Sequence, residues 1–208
     1  MAWDYSGLER YGDQAVANVT QESVDVYRFL RQQFEAGDVR TNHLFQFAFR
    51  SFYGMDRAGL TPDFKTHYFV CMQAARDDGP ADIRTVASEL KRFKTLRNCE
   101  SLQFSFITKL VSMVDPTRPI WDYKVARLLG MAANASGQYE TKLDTLLSRY
   151  EVLSSVADAL SRCELGGHLE AKFRQKYGVN ASEMSTAKVI DFLMWAAPSQ
   201  ARIRQTEG

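Results

Sequence analysis

Lys109 and Asp122 are the residues of this chain whose types and spacing could do chemistry. They lie in Gln103-Phe-Ser-Phe-Ile-Thr-Lys109 and in the segment that follows, Asp115-Pro-Thr-Arg-Pro-Ile-Trp-Asp122-Tyr-Lys-Val-Ala-Arg127, with a short proline-bounded turn between them. A primary amine freed of its proton is a nucleophile toward an electrophilic carbon. A carboxylate beside it stabilises positive charge developing on that carbon and helps deprotonate the amine. Each residue also has a plain structural reading. Phe106, Ile107, Leu110, Val111 and Val114 make the apolar stripe of a helix over 105–114. At about 100° per residue Lys109 falls well away from the centre of that stripe, where a solvated lysine belongs. Asp122 follows Pro119-Ile-Trp at the start of the next helix, where an aspartate N-cap contributes about 1 kcal/mol and needs no chemical role. The alternative for Lys109 is that its face lines a cleft, where desolvation lowers the amine's pKa and makes it reactive.

The elements that must position this pair are helices. Helical periodicity dominates and no alternating strand is evident, so the fold class is all-α. A helix over 20–36 carries Val24, Tyr27, Phe29, Leu30 and Phe34, and ends at Gly37-Asp38. The aromatic stretch 42–54 reads as a helix buried on most sides, stopped by Gly54. Thr61 caps the next helix, with Pro62 at its first position. Asp82 caps another that runs to about Leu96. After the 102–114 stretch, a helix runs from Asp122 to about Ala133, and a long one over 138–163 precedes a break at Gly166-Gly167. Shorter helices are expected near 168–177 and 182–196. Residues 1–197 form one compact helical domain, with material for two lobes sharing a cleft, and 198–208 form a polar, frayed tail.

Composition narrows the function classes. The 208 residues are 45% hydrophobic and 25% charged, an ordinary globular balance. Lys+Arg 26 against Asp+Glu 25 leaves a formal net charge of +1, so any polyanion must be held by a local patch. Cys71, Cys99 and Cys163 lie far apart, and His43, His67 and His168 show no ligand spacing, so neither a disulfide framework nor a metal site is expected. No apolar run approaches the ~20 residues of a membrane span, and the first residues carry no secretory signal. The expectation is a cytoplasmic protein.

The Lys–Asp segment resembles the catalytic core of the helix-hairpin-helix DNA glycosylases, in particular the 8-oxoguanine DNA glycosylase branch. Thr108-Lys109 matches the family's lysine position and Pro119-Ile-Trp-Asp122 its aspartate-bearing helix start. Upstream, Phe45-Gln-Phe-Ala-Phe-Arg-Ser-Phe-Tyr53 and Ala58-Gly-Leu-Thr-Pro-Asp-Phe-Lys65 look like the aromatic helix and following turn of small bacterial proteins with this fold. The likeness covers about residues 42–130. One departure stands out: the family's glycine-bearing hairpin is replaced by Ser101-Leu-Gln-Phe-Ser-Phe106, which has no glycine. The resemblance implies a helix-hairpin-helix-like core, base excision from a flipped nucleotide, and a Schiff base formed by Lys109 with Asp122 assisting. It further implies AP-lyase activity, double-stranded DNA carrying a damaged or modified base as partner, a monomer, and no cofactor or metal.

On that reading Lys91, Arg92, Lys94 and Arg97, with Ser105, Thr108, Lys124 and Arg127, are the DNA-binding candidates. Phe104 and Trp121 are candidates for stacking on a flipped base or wedging into its gap, against the plainer reading of both as core. Two other functions stay open. One is a non-catalytic DNA-binding or adaptor protein on the same fold, including an anti-phage role on modified phage DNA. The other is an all-α interaction module without DNA affinity.

Overall fold

A computed structural model describes residues 3–79 and 82–206. Among them are ten α-helices and one two-stranded ribbon. The helices are α1 (Ser6–Asn18), α2 (Gln21–Ala36), α3 (His43–Phe52), α4 (Pro62–Asp78) and α5 (Ile83–Lys91). They continue as α6 (Phe104–Val114), α7 (Tyr123–Leu128), α8 (Tyr139–Arg162), α9 (Glu164–Tyr177) and α10 (Thr186–Ala196). The protein is therefore mostly helical, and no described helix is long and apolar enough to cross a membrane.

Helix starts follow local chemistry. The side chains of Thr20, Asn42, Thr61, Asp82, Asp122 and Ser185 each accept a hydrogen bond from a backbone N–H in the first turn of the helix they precede. Such caps satisfy donors that have no partner within the helix. The helices then bury one continuous apolar cluster. Packing falls into two sets: α4, α5 and α6 against one another, and α10 against α1, α7, α8 and α9. Between the sets, the Tyr27 ring of α2 meets the Phe192 ring of α10 edge-on at 5.6 Å.

Several boundaries differ from expectation, each for a tertiary reason. α3 is not buried on most sides: Phe45 and Phe49 are in the core, while Leu44 and Phe47 are 61% and 60% exposed. α5 stops at Lys91, because the chain beyond it bonds to a distant turn. There Leu96 N–H donates to Gly59 O at 2.9 Å, and Leu60 bridges Thr95. α7 stops at Leu128, where Gly130 takes the left-handed φ of 66° and Met131 N–H closes the end on Ala126 O. The segment 198–206 is not frayed. Ala201 and Ile203 are buried, Ile203 N–H donates to Leu128 O at 2.9 Å, and β2 (Arg204–Gln205) pairs antiparallel with β1 (Trp3–Asp4). Residues 207 and 208 of the expected tail lie outside the described residues.

Gly166-Gly167 does not break a helix; α9 runs through both. A Cβ at 166 would sit 1.8 Å from Leu160 O, so this glycine lets α9 turn back tightly against the end of α8. A Cβ at 167 would meet nothing. Gly166→Ala is therefore expected to cost about 1–3 kcal/mol by overpacking. Gly167→Ala is expected to gain about 0.5–1 kcal/mol from helix propensity. Urea denaturation of the two variants checks this; equal effects would show that the close approach at 166 relaxes freely.

Candidate active site

Lys109 is not the solvated lysine that periodicity suggests. Nearly all of α6 is buried, since its apolar stripe packs on α4 and α5 while its other face turns inward as well. Lys109 is only 9% exposed. Its Nζ donates to Ser105 Oγ at 2.9 Å, one turn back, and stands 4.8 Å from the Phe106 ring and 5.6 Å from the Tyr53 ring. The amine opens onto a cavity of about 340 Å³, and Asp122 lines the same cavity. The structure thus brings together the two residues whose chemistry the sequence suggests.

Asp122 is both helix cap and cavity wall. Its carboxylate accepts Val125 N–H at 3.0 Å, so capping fixes its direction without removing it from the cavity. The loop that delivers it is held from four sides. Pro119 O accepts from Tyr150 Oη at 2.8 Å, and Ile120 N–H donates to Asp191 Oδ1 at 2.8 Å. Trp121 N–H donates to Thr108 Oγ1 at 3.1 Å, and the indole N–H donates to Ala133 O at 3.0 Å. Thr108 neighbours Lys109, so one residue pair on α6 sets both the amine and the approach of the carboxylate.

Burial pulls the Lys109 amine below the ordinary lysine range; the Asp122 and Asp191 carboxylates push it back up, and Lys188 pulls it down. Burial pushes the Asp122 carboxyl above its ordinary value, opposed by the Val125 N–H and by Lys109. Both shifts bring the neutral amine and the proton-accepting carboxylate closer to each other in basicity. That is the direction of shift a nucleophilic amine and an assisting base require.

The cavity is completed by groups that the sequence does not single out. Phe52 and Tyr53 come from the end of α3, Arg57 from the 3-10 turn after it, and Lys188, Asp191, Phe192 and Trp195 from α10. The spacing 188, 191–192, 195 is the one-face signature of a helix, and it was the available signal. A second, open cavity of about 520 Å³ shares Asp122 and Trp195 with the first and reaches Ser105, Tyr123 and Lys124.

The remaining sequence candidates separate clearly. Trp121 is 1% exposed and Phe104 3%, and they pack edge-on at 6.5 Å; neither protrudes to wedge into a strand, and both form part of the wall of the second cavity, not of the first. Thr108 is fully buried and braces the loop, so it is not a DNA contact. Ser105 holds the Lys109 amine. Lys91 pairs with Glu140 at 2.8 Å, and Arg92 with Glu89 at 3.1 Å and with His67 at 2.6 Å, so both are engaged within the fold. Lys94 and Arg97 are exposed on the loop after α5. Lys124 and Arg127 are exposed on α7, and the Lys124 amine lies 3.7 Å over the Trp195 ring at the cavity mouth.

No protein-family model, curated protein or solved structure matches this chain.

Proposed function

We propose that this protein is a DNA glycosylase with associated AP-lyase activity, acting on an oxidised or otherwise modified base. The observation that carries the reading is that Lys109 and Asp122, far apart in their helical settings, line one cavity with the amine buried. The resemblance of residues 42–130 to the helix-hairpin-helix glycosylases, which rests on the same two residues, points the same way.

In the proposed reaction the extruded nucleotide places its base in the cavity, at a cost of a few kcal/mol that stacking and edge contacts offset. Phe52, Phe192 and Trp195 supply the stacking surfaces. The neutral Lys109 amine attacks C1′ as the C1′–N bond breaks and its electron pair leaves with the base. Asp122 stabilises the cationic sugar and accepts the amine's proton. Asp122 returns that proton to O4′ as the sugar ring opens to the Schiff base; loss of a C2′ proton then drives β-elimination, the C3′–O bond breaking as the 3′ phosphate leaves. The exposed Lys124 and Arg127 beside the cavity mouth are the phosphate contacts of this reading, in preference to the ion-paired Lys91 and Arg92.

Borohydride trapping tests the reading. Duplexes carrying 8-oxoguanine, uracil, an abasic site or phage-type modified cytosines are incubated with wild type and with Lys109→Gln. A covalent adduct that disappears in Lys109→Gln is the expected result. No adduct on any duplex, abasic DNA included, would leave Lys109 a buried structural lysine. A binding-only role then takes over, which the glycine-free Ser101–Phe106 segment favours.

A further inference from the structure

The cavity holds a second amine and carboxylate that the excision chemistry does not use. Lys188 and Asp191 lie one turn apart on α10, are 3% and 5% exposed, and pair at 2.6 Å. Asp191 has both oxygens engaged, Oδ2 by Lys188 and Oδ1 by the Ile120 N–H. The ammonium is in a different position. It carries three N–H donors, yet Asp191 is its only hydrogen-bond acceptor among the described residues. The rings of Tyr27 and Phe192 lie 4.9 and 5.4 Å from it. They attract its charge but offer the donors no oxygen. A buried ammonium with idle donors is costly until an acceptor reaches it, and the side from which one can arrive is the cavity that Lys188 lines.

We propose that Lys188 is the specificity-determining residue of this pocket. It donates to the exocyclic oxygen at purine C6 or pyrimidine C4, so that the protein takes bases with an oxo group there in preference to their amino counterparts. The inference rests on reading the cavity as a base pocket. A keto group aims lone pairs at the ammonium, as the O6 and N7 of guanine do toward lysine in DNA grooves. The amino counterpart aims N–H donors at the same place, donor against donor in a desolvated site. A site built to hydrogen-bond one group rejects an analogue that cannot, because its own buried polar groups are left unpaired.

Matched duplexes test this: 8-oxohypoxanthine against 8-oxoadenine, and 5-hydroxyuracil against 5-hydroxycytosine. Within each pair the modification is shared, and the exocyclic oxygen at purine C6 or pyrimidine C4 is exchanged for an amino group, with the adjacent ring nitrogen losing its proton. Wild type is expected to excise the oxo member at least about tenfold faster in both pairs. Lys188→Met should bring the ratio to within about twofold, and Lys188→Arg, which keeps charge and donors, should retain most of it. Should Lys188→Met fail to fold with Asp191 left unpaired, Lys188→Met/Asp191→Asn carries the same comparison. A second arm titrates the proteins with the free bases hypoxanthine and adenine, uracil and cytosine, followed by ligand-observed NMR. A Lys188-dependent preference for hypoxanthine and uracil, with no adduct on any duplex, would overturn the glycosylase reading and leave the oxo-base pocket standing. Excision without an oxo preference, or with one that survives Lys188→Met, overturns the role of Lys188 alone. Where excision is seen the duplex arm decides; where no adduct forms on any duplex the free-base arm decides, and the inference falls if that arm shows no Lys188-dependent oxo preference.

Discussion

On the proposed reading, Asp122→Asn is expected to lower the single-turnover rate of base excision by about 10²–10⁴-fold, the range for losing a positioned acid–base or charge-stabilising group. The fold should hardly notice, because asparagine caps a helix as well as aspartate does and the Val125 N–H keeps its acceptor. What disappears is the negative charge facing the sugar cation. On DNA that is already abasic there is no base to expel, so trapping by Lys109 should persist in this variant. Its pH dependence should also move. The attacking species is the neutral amine, so trapping rises with pH through the pKa of Lys109, which burial holds below the ordinary 10.5 while Asp122 pushes it upward. Removing the Asp122 charge lets that pKa fall further and shifts the rising limb to lower pH. Measuring trapping against pH for wild type and Asp122→Asn checks the direction. A limb that shifts upward, or an excision rate within about twofold of wild type, would separate Asp122 from the chemistry.

Asp191→Ala is expected to cost about 3–5 kcal/mol, the range for breaking a buried ion pair by removing one partner. Two groups are stranded at once: the Lys188 ammonium, 3% exposed, and the buried Ile120 N–H. For a protein of this size each kcal/mol moves Tm by roughly 2–4 °C, so the loss should be plain in a melting curve. Asp191→Asn keeps an acceptor for the Ile120 N–H and should cost less. Lys188→Met/Asp191→Leu removes both charges and should recover part of the stability, since well-packed apolar replacements of a buried pair are often neutral or better. Excision should fall in Asp191→Ala even well below its melting temperature, because the segment leading to Asp122 loses one of its anchors. A stability loss under 1 kcal/mol would show that the pair is hydrated and not a structural element.

The parts of this molecule that a sequence reveals are the local ones. Thr20, Thr61-Pro62, Asp82 and Asp122 mark helix starts because a cap and the N–H groups it satisfies lie within three residues of each other. The Lys109–Asp122 pairing was legible for a similar reason: a short turn joins their helices. Burial of Lys109 was not legible, since periodicity identifies the apolar face of α6 but says nothing of what packs on the other one. Lys188 and Asp191 read in sequence as an ordinary i, i+3 surface pair. Their meaning comes from the Ile120 N–H, seventy-one positions away. Trp121 and Asp122 are neighbours in the chain, yet only Asp122, whose backbone is extended, reaches the first cavity, while Trp121 is 1% exposed. Gly166 marks a close approach and not a break: Leu160 O, six positions earlier, passes beside it, and that approach follows from the angle at which α9 turns back on α8, which residue types alone do not state.

The four hydrogen bonds that hold residues 119–121 decide where recognition must do its adapting. A carboxylate carried on a mobile loop would have to be drawn into place by each ligand, and part of the ligand's affinity would be consumed in ordering it. Here that ordering is already done within the fold, by Tyr150, Asp191, Thr108 and Ala133. On the proposed reading the rigid partner is the protein and the deformable one the nucleic acid. A small cationic mimic of the ring-flattened sugar should then bind this site with little reorganisation of the protein, and the four hydrogen bonds should all persist in the complex.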